Sequence, residues 1–370
     1  MNAATRVMGF LAMVLVVGLV LAGCEGEQGP AGPPGPAGPG VESFEGFAAG
    51  IKCATCHTPD QDTTYYLLAR RYQHEASKHW TGGHVDRNGA GCARCHTTEG
   101  YLKNILYGQD VAATQPSPIN CFACHSPHAR NDFSIRNPGS VTIQSNISGK
   151  PDLVFNYGFG NQCVTCHKTR DMNPKMPQTY GPTDTLTITS SRWYSHYGVQ
   201  GQMFAGDGGY VWTGETAPGN GHKNVPALQA NACAMCHMTT PAGGNMAVSG
   251  GHSMKIRYNA TQEIGVDSLD SFNVTGCNTS GCHSGITKTQ LLAFYKPVTD
   301  TLHLLEQRLI ALNLLDPNTL LVRGPFPKKV AAKQAGSLYN YFFVEHDYSR
   351  GIHNYQYARF LLRRSLAQLN

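Results

Sequence analysis

Charge is scarce in this sequence. Asp, Glu, Lys and Arg make up only 14% of its 370 residues, about half the share in an ordinary globular chain. The formal net charge of +5 is small and scattered. No basic stripe or nucleic-acid-binding motif accompanies it, which excludes nucleic acid as a partner. Long apolar runs are missing too. The longest, Val7 to Ala22 behind Arg6, falls short of the roughly 20 residues of a spanning helix. Long regular helices cannot dominate, because 41 Gly and 21 Pro break the backbone into turns. What the chain has in excess is 13 Cys and 16 His.

The apolar run has the length of a secretory signal, so residues 1–23 read as an export peptide. Its end, Leu21, Ala22, Gly23 and Cys24, resembles the lipobox of bacterial lipoproteins, in which the Cys becomes the acylated first residue of the mature chain. The resemblance implies lipidation at Cys24; an uncleaved anchor is the alternative. Glu25 follows Cys24, where the signal that retains such lipoproteins in the inner membrane is usually Asp, which implies an outer-membrane destination. Gly then recurs every third residue from Gly26 to Gly38 among prolines. Five triplets are marginal for a collagen triple helix, so residues 24–45 read as the lipidated Cys and an extended tether.

Five segments match Cys-x-x-Cys-His: Cys53, Cys56 and His57; Cys92, Cys95 and His96; Cys121, Cys124 and His125; Cys163, Cys166 and His167; Cys233, Cys236 and His237. A sixth, Cys277, Cys282 and His283, has four residues between its cysteines. The pattern is that of c-type haem attachment. Two thiols add to the two vinyl groups of one porphyrin, and the adjacent His lies under the iron as proximal ligand. A zinc site would gather four Cys, or two Cys with two His, and needs no His after every pair. The six motifs use every Cys except Cys24, leaving none for a disulfide.

On these motifs the chain resembles the multihaem c-type cytochromes of dissimilatory metal-reducing bacteria, specifically their six-haem outer-surface lipoproteins. The resemblance implies six covalent haem c groups. It also implies mostly irregular coil with short helices wrapped around a haem chain, few strands, and an electron-transfer role. Ten His remain as second axial ligands. His128, in Cys-His-Ser-Pro-His, matches a family pattern, and His196, His252 and His353 sit in segments resembling the family's distal-ligand segments. His84 and His222 precede motifs at short range. These six are the expected distal ligands, with His74, His79, His303 and His346 in reserve. Met246 and Met254 rank below His252. No Cys-x-x-Cys-Lys motif occurs, so the reading favours an electron carrier over an enzyme.

The shortest step between motifs, from Cys92 to Cys121, makes that pair the expected close haem contact. Thr185 to Thr189 reads as a strand. Past His283, leucines at 302, 305, 309 and 312 and the periodic stretch Asn354 to Leu369 predict helices. Thr299 or Asp300 is the expected cap of the first, over Pro297 to Leu315. The organisation is therefore a signal (1–23), a tether (24–45), a six-haem body (46–285) and a helical C-terminal subregion (286–370) packed on it. The sequence points to an exported outer-membrane lipoprotein at the cell surface, or facing the periplasm. Its expected partners are other c-type cytochromes, porin-cytochrome conduits and extracellular acceptors such as metal oxides and electrodes. Rival readings are a subunit of a cytochrome filament or homo-oligomer, and a multihaem reductase of a small oxyanion.

Overall fold

A computed structural model describes residues 67–82, 84–126, 135–136, 139–242, 245–259, 271–279 and 282–369. The signal, Cys24, the tether, the first motif (Cys53, Cys56, His57) and His128 lie outside the described residues.

The first helices are short: α1 (Leu67–Glu75), α2 (Lys78–Thr81), α3 (Ala93–His96), α4 (Thr98–Tyr107) and α5 (Cys121–Cys124). Polar caps start three of them. Ser77, Thr97 and Asn120 each accept a backbone N–H of the first turn through the side chain, satisfying donors that a helix start leaves free. Strands β1 (Val141–Ile143) and β3 (Leu153–Phe155) form an antiparallel ladder pairing Val141 with Phe155. Between them lies β2 (Ile147–Ser148). Helix α6 (Gly160–Val164) follows, then β4 (Met176–Pro177), which runs parallel to β2.

Strand β5 (Thr185–Ile188) lies where the sequence predicts one; α7 (Gln200–Ala205) and α8 (Pro226–His237) come next. Two further short strands, β6 (Arg257–Tyr258) and β7 (Ser271–Phe272), pair antiparallel. The C-terminal part holds α9 (Lys288–Ala311), β8 (Lys328–Ala331), α10 (Ala332–Glu345) and α11 (Tyr355–Gln368). Strand β8 pairs antiparallel with β5.

Helix α9 starts well before the expected cap. Thr287 and Gln290 form a capping box, a reciprocal closure of two free donors. Pro297, Thr299 and Asp300 therefore lie inside the helix. Leu302, Leu305 and Leu309 share one buried face with α10 and α11 residues such as Phe342, Phe343, Leu361 and Leu362. The same core takes in Trp193, Met203, Tyr210 and Trp212 from the long insert between the fourth and fifth motifs. It thus draws on segments on both sides of residue 286.

A smaller core sets two motifs against each other. Val141, Ile143 and Phe155 of the first ladder pack with Val164 of α6, Phe204 of α7, and Leu228 and Ala232 of α8. Phe159 donates its N–H to the Ala230 carbonyl at 2.9 Å. Gly158 has φ +55°, and a Cβ there would sit 1.9 Å from that same oxygen. Only glycine admits this approach. Gly158→Ala is expected to lower stability by about 1–3 kcal/mol, the usual cost of overpacking, seen as a lower thermal midpoint of the haem-loaded protein.

Candidate haem centres

Each described motif turns on one local bond. In a helical turn residues three and four apart share a face, so the two Cys and the His of Cys-x-x-Cys-His project together. The bond that closes the turn runs from the His N–H to the first Cys carbonyl. It measures 3.2 Å from His96 to Cys92, 2.9 Å from His125 to Cys121 and 2.9 Å from His167 to Cys163. The wider sixth motif keeps it: His283 N–H donates to the Cys277 carbonyl at 3.1 Å. The longer spacing leaves the closure between first Cys and His intact. The ten described motif cysteines are unbridged.

The histidines come in pairs. Ring centres lie 6.1 Å apart for His79 and His167, 6.3 Å for His125 and His252, 6.2 Å for His237 and His353, and 6.2 Å for His222 and His283. Van der Waals contact between two rings does not dictate so constant a value. Two imidazoles on opposite sides of one iron do, since metal–nitrogen bonds of about 2 Å on each side hold the ring centres about 6 Å apart. This spacing is the fit test for haem, and the described proximal histidines meet it. Among the described residues no group of three His, Cys, Asp or Glu gathers to hold a metal ion.

Several elements aim the second imidazoles. Gln73 on α1 accepts the His252 N–H at 3.0 Å through its side-chain oxygen, holding the turn that presents His252 to His125. His79 rides on α2 behind its Ser77 cap. Burial holds His79, His237 and His252 down to about 4, with neighbouring charges adding to the shift. Such rings are neutral at physiological pH, the form that binds a metal. The other ring nitrogen is often engaged as well. His167 Nδ1 lies 3.2 Å from the Gln200 side-chain oxygen, and His237 Nδ1 lies 2.9 Å from the Met254 carbonyl. Using Nδ1 in this way leaves Nε2 for iron.

Of the expected distal ligands, His222, His252 and His353 each face one proximal His. His96 has two imidazoles at ligand distance, His84 at 6.1 Å and His196 at 6.3 Å, for one remaining coordination position. His84 is largely exposed, whereas burial depresses His196 to about 4. His79 was held in reserve on sequence grounds, yet it faces His167 across a long stretch of chain that no local spacing reveals. His74 puts Nε2 on the Ile119 carbonyl at 2.8 Å, His303 is exposed on α9, and His346 is buried among Tyr194 and Tyr197. The Met254 carbonyl is taken up by His237, and Met246 is exposed.

Attachment sulfurs of different motifs also lie near one another. The Cys95 and Cys166 thiols shift each other's pKa, Cys95 down and Cys166 up, as do those of Cys163 and Cys233, Cys163 down and Cys233 up. Cys124 feels the charge of Cys163, and Cys236 that of Cys277 and Cys282. The contacts therefore centre on the fourth motif. The second and third motifs, expected from the shortest step to make the close contact, are tied together by the Asn120 N–H donating to the Thr98 hydroxyl at 3.0 Å, and Gly158 and Gly160 bring α6 of the fourth motif directly onto α8 of the fifth.

No protein-family model matches the sequence. The C-type polyhaem cytochrome OmcB of Geobacter sulfurreducens is 25% identical over 252 residues, covering 56% of this chain and 30% of that protein. OmcC of the same organism is 24% identical over 240 residues, 52% of this chain and 28% of its own length. The chain thus spans under a third of the length of these curated relatives. Among solved structures, the outer cell wall cytochrome OcwA has a TM-score of 0.48 at 18% identity, covering 86% of this chain and 53% of that one. The undecahaem cytochrome from the S-layer of Carboxydothermus ferrireducens has a TM-score of 0.39 at 16% identity, covering 80% and 40%.

Proposed function

Because the chain is a multihaem c-type cytochrome, we propose that it is an electron carrier with six covalently attached haems, each held between two histidines. The observation that carries this reading is the near-constant spacing of the histidine pairs, 6.1 to 6.3 Å between ring centres. Haem iron supplies one-electron chemistry when bound. The chain's part is to fix axial imidazoles on both sides, shield them from water and set the distances between sites. Iron saturated in this way offers no position to a substrate, which favours transfer over catalysis. The sixth motif counts among the attachment sites because it keeps the closing hydrogen bond of the others. The first rests on Cys53, Cys56 and His57 by sequence.

The export signal and Cys24 support anchorage at the outer membrane, with the Gly/Pro stretch holding the body away from the lipid. Electrons then pass between porin-cytochrome conduits or other c-type cytochromes and extracellular acceptors such as metal oxides or electrodes. Each described proximal His finds a partner within its own chain, which favours a self-contained carrier over a filament that borrows a ligand from its neighbour.

Electron paramagnetic resonance of the oxidised protein tests this reading. Six low-spin centres with no high-spin signal are expected, and one stoichiometric high-spin centre would reinstate the reductase. His79→Ala is expected to convert one of the six to high spin. Of His84→Ala and His196→Ala, only one should do the same to the haem on His96.

A further inference from the structure

Resting on that reading, the geometry points to Asp347 as the residue that sets the potential of the fifth-motif haem, by accepting a hydrogen bond from the distal imidazole of His353. Asp347 is 2% exposed. Its Oδ1 lies 2.6 Å from His353 Nδ1, shorter than a neutral hydrogen bond, as charge-assisted bonds are. Its Oδ2 accepts from the Ser349 hydroxyl, and that hydroxyl in turn accepts the His353 backbone N–H at 3.2 Å. The ring therefore has its Nδ1 proton committed to a carboxylate, and its centre lies 6.2 Å from that of His237.

Three other paired histidines show a different environment. His167 has a neutral amide at Nδ1, and His237 a backbone carbonyl. Asp86 stands 3.9 Å from His84, beyond hydrogen-bond range and largely exposed. The nearby Glu345 carboxylate is already paired with Arg350 at 2.7 Å, so the charge at His353 comes from Asp347.

A carboxylate on the far side of an axial imidazole makes the ring a stronger donor and raises ligand basicity. Electron density pushed toward the metal stabilises the ferric over the ferrous state, so this haem becomes harder to reduce than it would be without Asp347. Its neighbours in the set are the fourth motif, through Cys163 and Cys233, and the sixth, through the charge on Cys236. Asp347 is a positioning and tuning residue rather than a metal ligand.

Asp347→Asn keeps the shape and removes the charge. In a spectroelectrochemical titration one midpoint of six should rise, by roughly tenfold in reduction equilibrium constant, which is about 59 mV for one electron. The g-values of one low-spin centre should change with it. Ser349→Ala removes a donor from the same carboxylate, leaves it a better acceptor for His353, and should lower that midpoint instead. A merely structural role would give no shift or shifts of the same sign in both variants, and either result overturns the inference. If Asp347→Asn loses haem, Ser349→Ala alone decides by the sign of its shift. Failure of the electron-carrier reading is separately visible, because the unmutated protein would then lack six low-spin centres.

Discussion

Replacing both Cys163 and Cys166 with serine is expected to yield a protein with one haem fewer and a broken internal path. The haem count follows from the chemistry, since the thioether bonds need both sulfurs. The loss of the path follows from position. Cys166 lies near enough to Cys95 of the second motif, and Cys163 to Cys233 of the fifth, for the thiols to shift one another's pKa. Cys163 also lies close enough to Cys124 of the third to raise its pKa. Removing the fourth haem takes out the site through which these motifs meet. Rapid-mixing reoxidation by an acceptor that collects electrons from one end should slow by tenfold or more, a rise in barrier of about 1.4 kcal/mol. The matching exchange of Cys277 and Cys282 removes a haem that touches only the fifth motif among these contacts. It should cost one haem with a far smaller change in rate. Equal effects from the two variants would show that the fourth motif is no crossroads.

Leu305→Ala is the second large effect, and it falls on stability rather than on transfer. Leu305 is fully buried in the C-terminal core, on the α9 face it shares with Leu302 and Leu309. Truncation there removes favourable burial and leaves a cavity, at a cost of about 2–5 kcal/mol. Leu304, one residue earlier, is 55% exposed, and its alanine variant should stay within about 0.5 kcal/mol. Denaturant unfolding followed by far-ultraviolet circular dichroism would separate the two. A small loss at Leu305 would mean that bound haem, rather than the leucine face, holds this part together.

The attachment motifs were legible because covalent chemistry fixes their spacing within a few residues. The leucine face of α9 and the periodic stretch that became α11 were legible for a related reason, since each writes its pattern in one short segment. Other features depend on contacts that no short segment contains. Helix α10 escaped notice because Ala335 to Val344 are all buried, and a helix covered on every side loses the one-sided pattern that betrays it. The cap of α9 was misplaced because Thr299 and Asp300 are good capping types, while the reciprocal bond of Thr287 and Gln290 lies outside the leucine stripe. The pairing of His79 with His167 is the clearest case. Sequence supplies ten candidate imidazoles, and only the path of the chain decides which ring meets which.

That pairing also imposes a schedule on assembly. An exported chain emerges from its N-terminus, so His79 and His222 already exist when the fourth and sixth motifs appear. The third and fifth motifs emerge ahead of their partners, because His252 and His353 are made later. His353 is made only after α9 and α10. Biogenesis of the fifth centre is therefore tied to synthesis of the stretch beyond α10, and a chain truncated before His353 would leave its centres unequally finished.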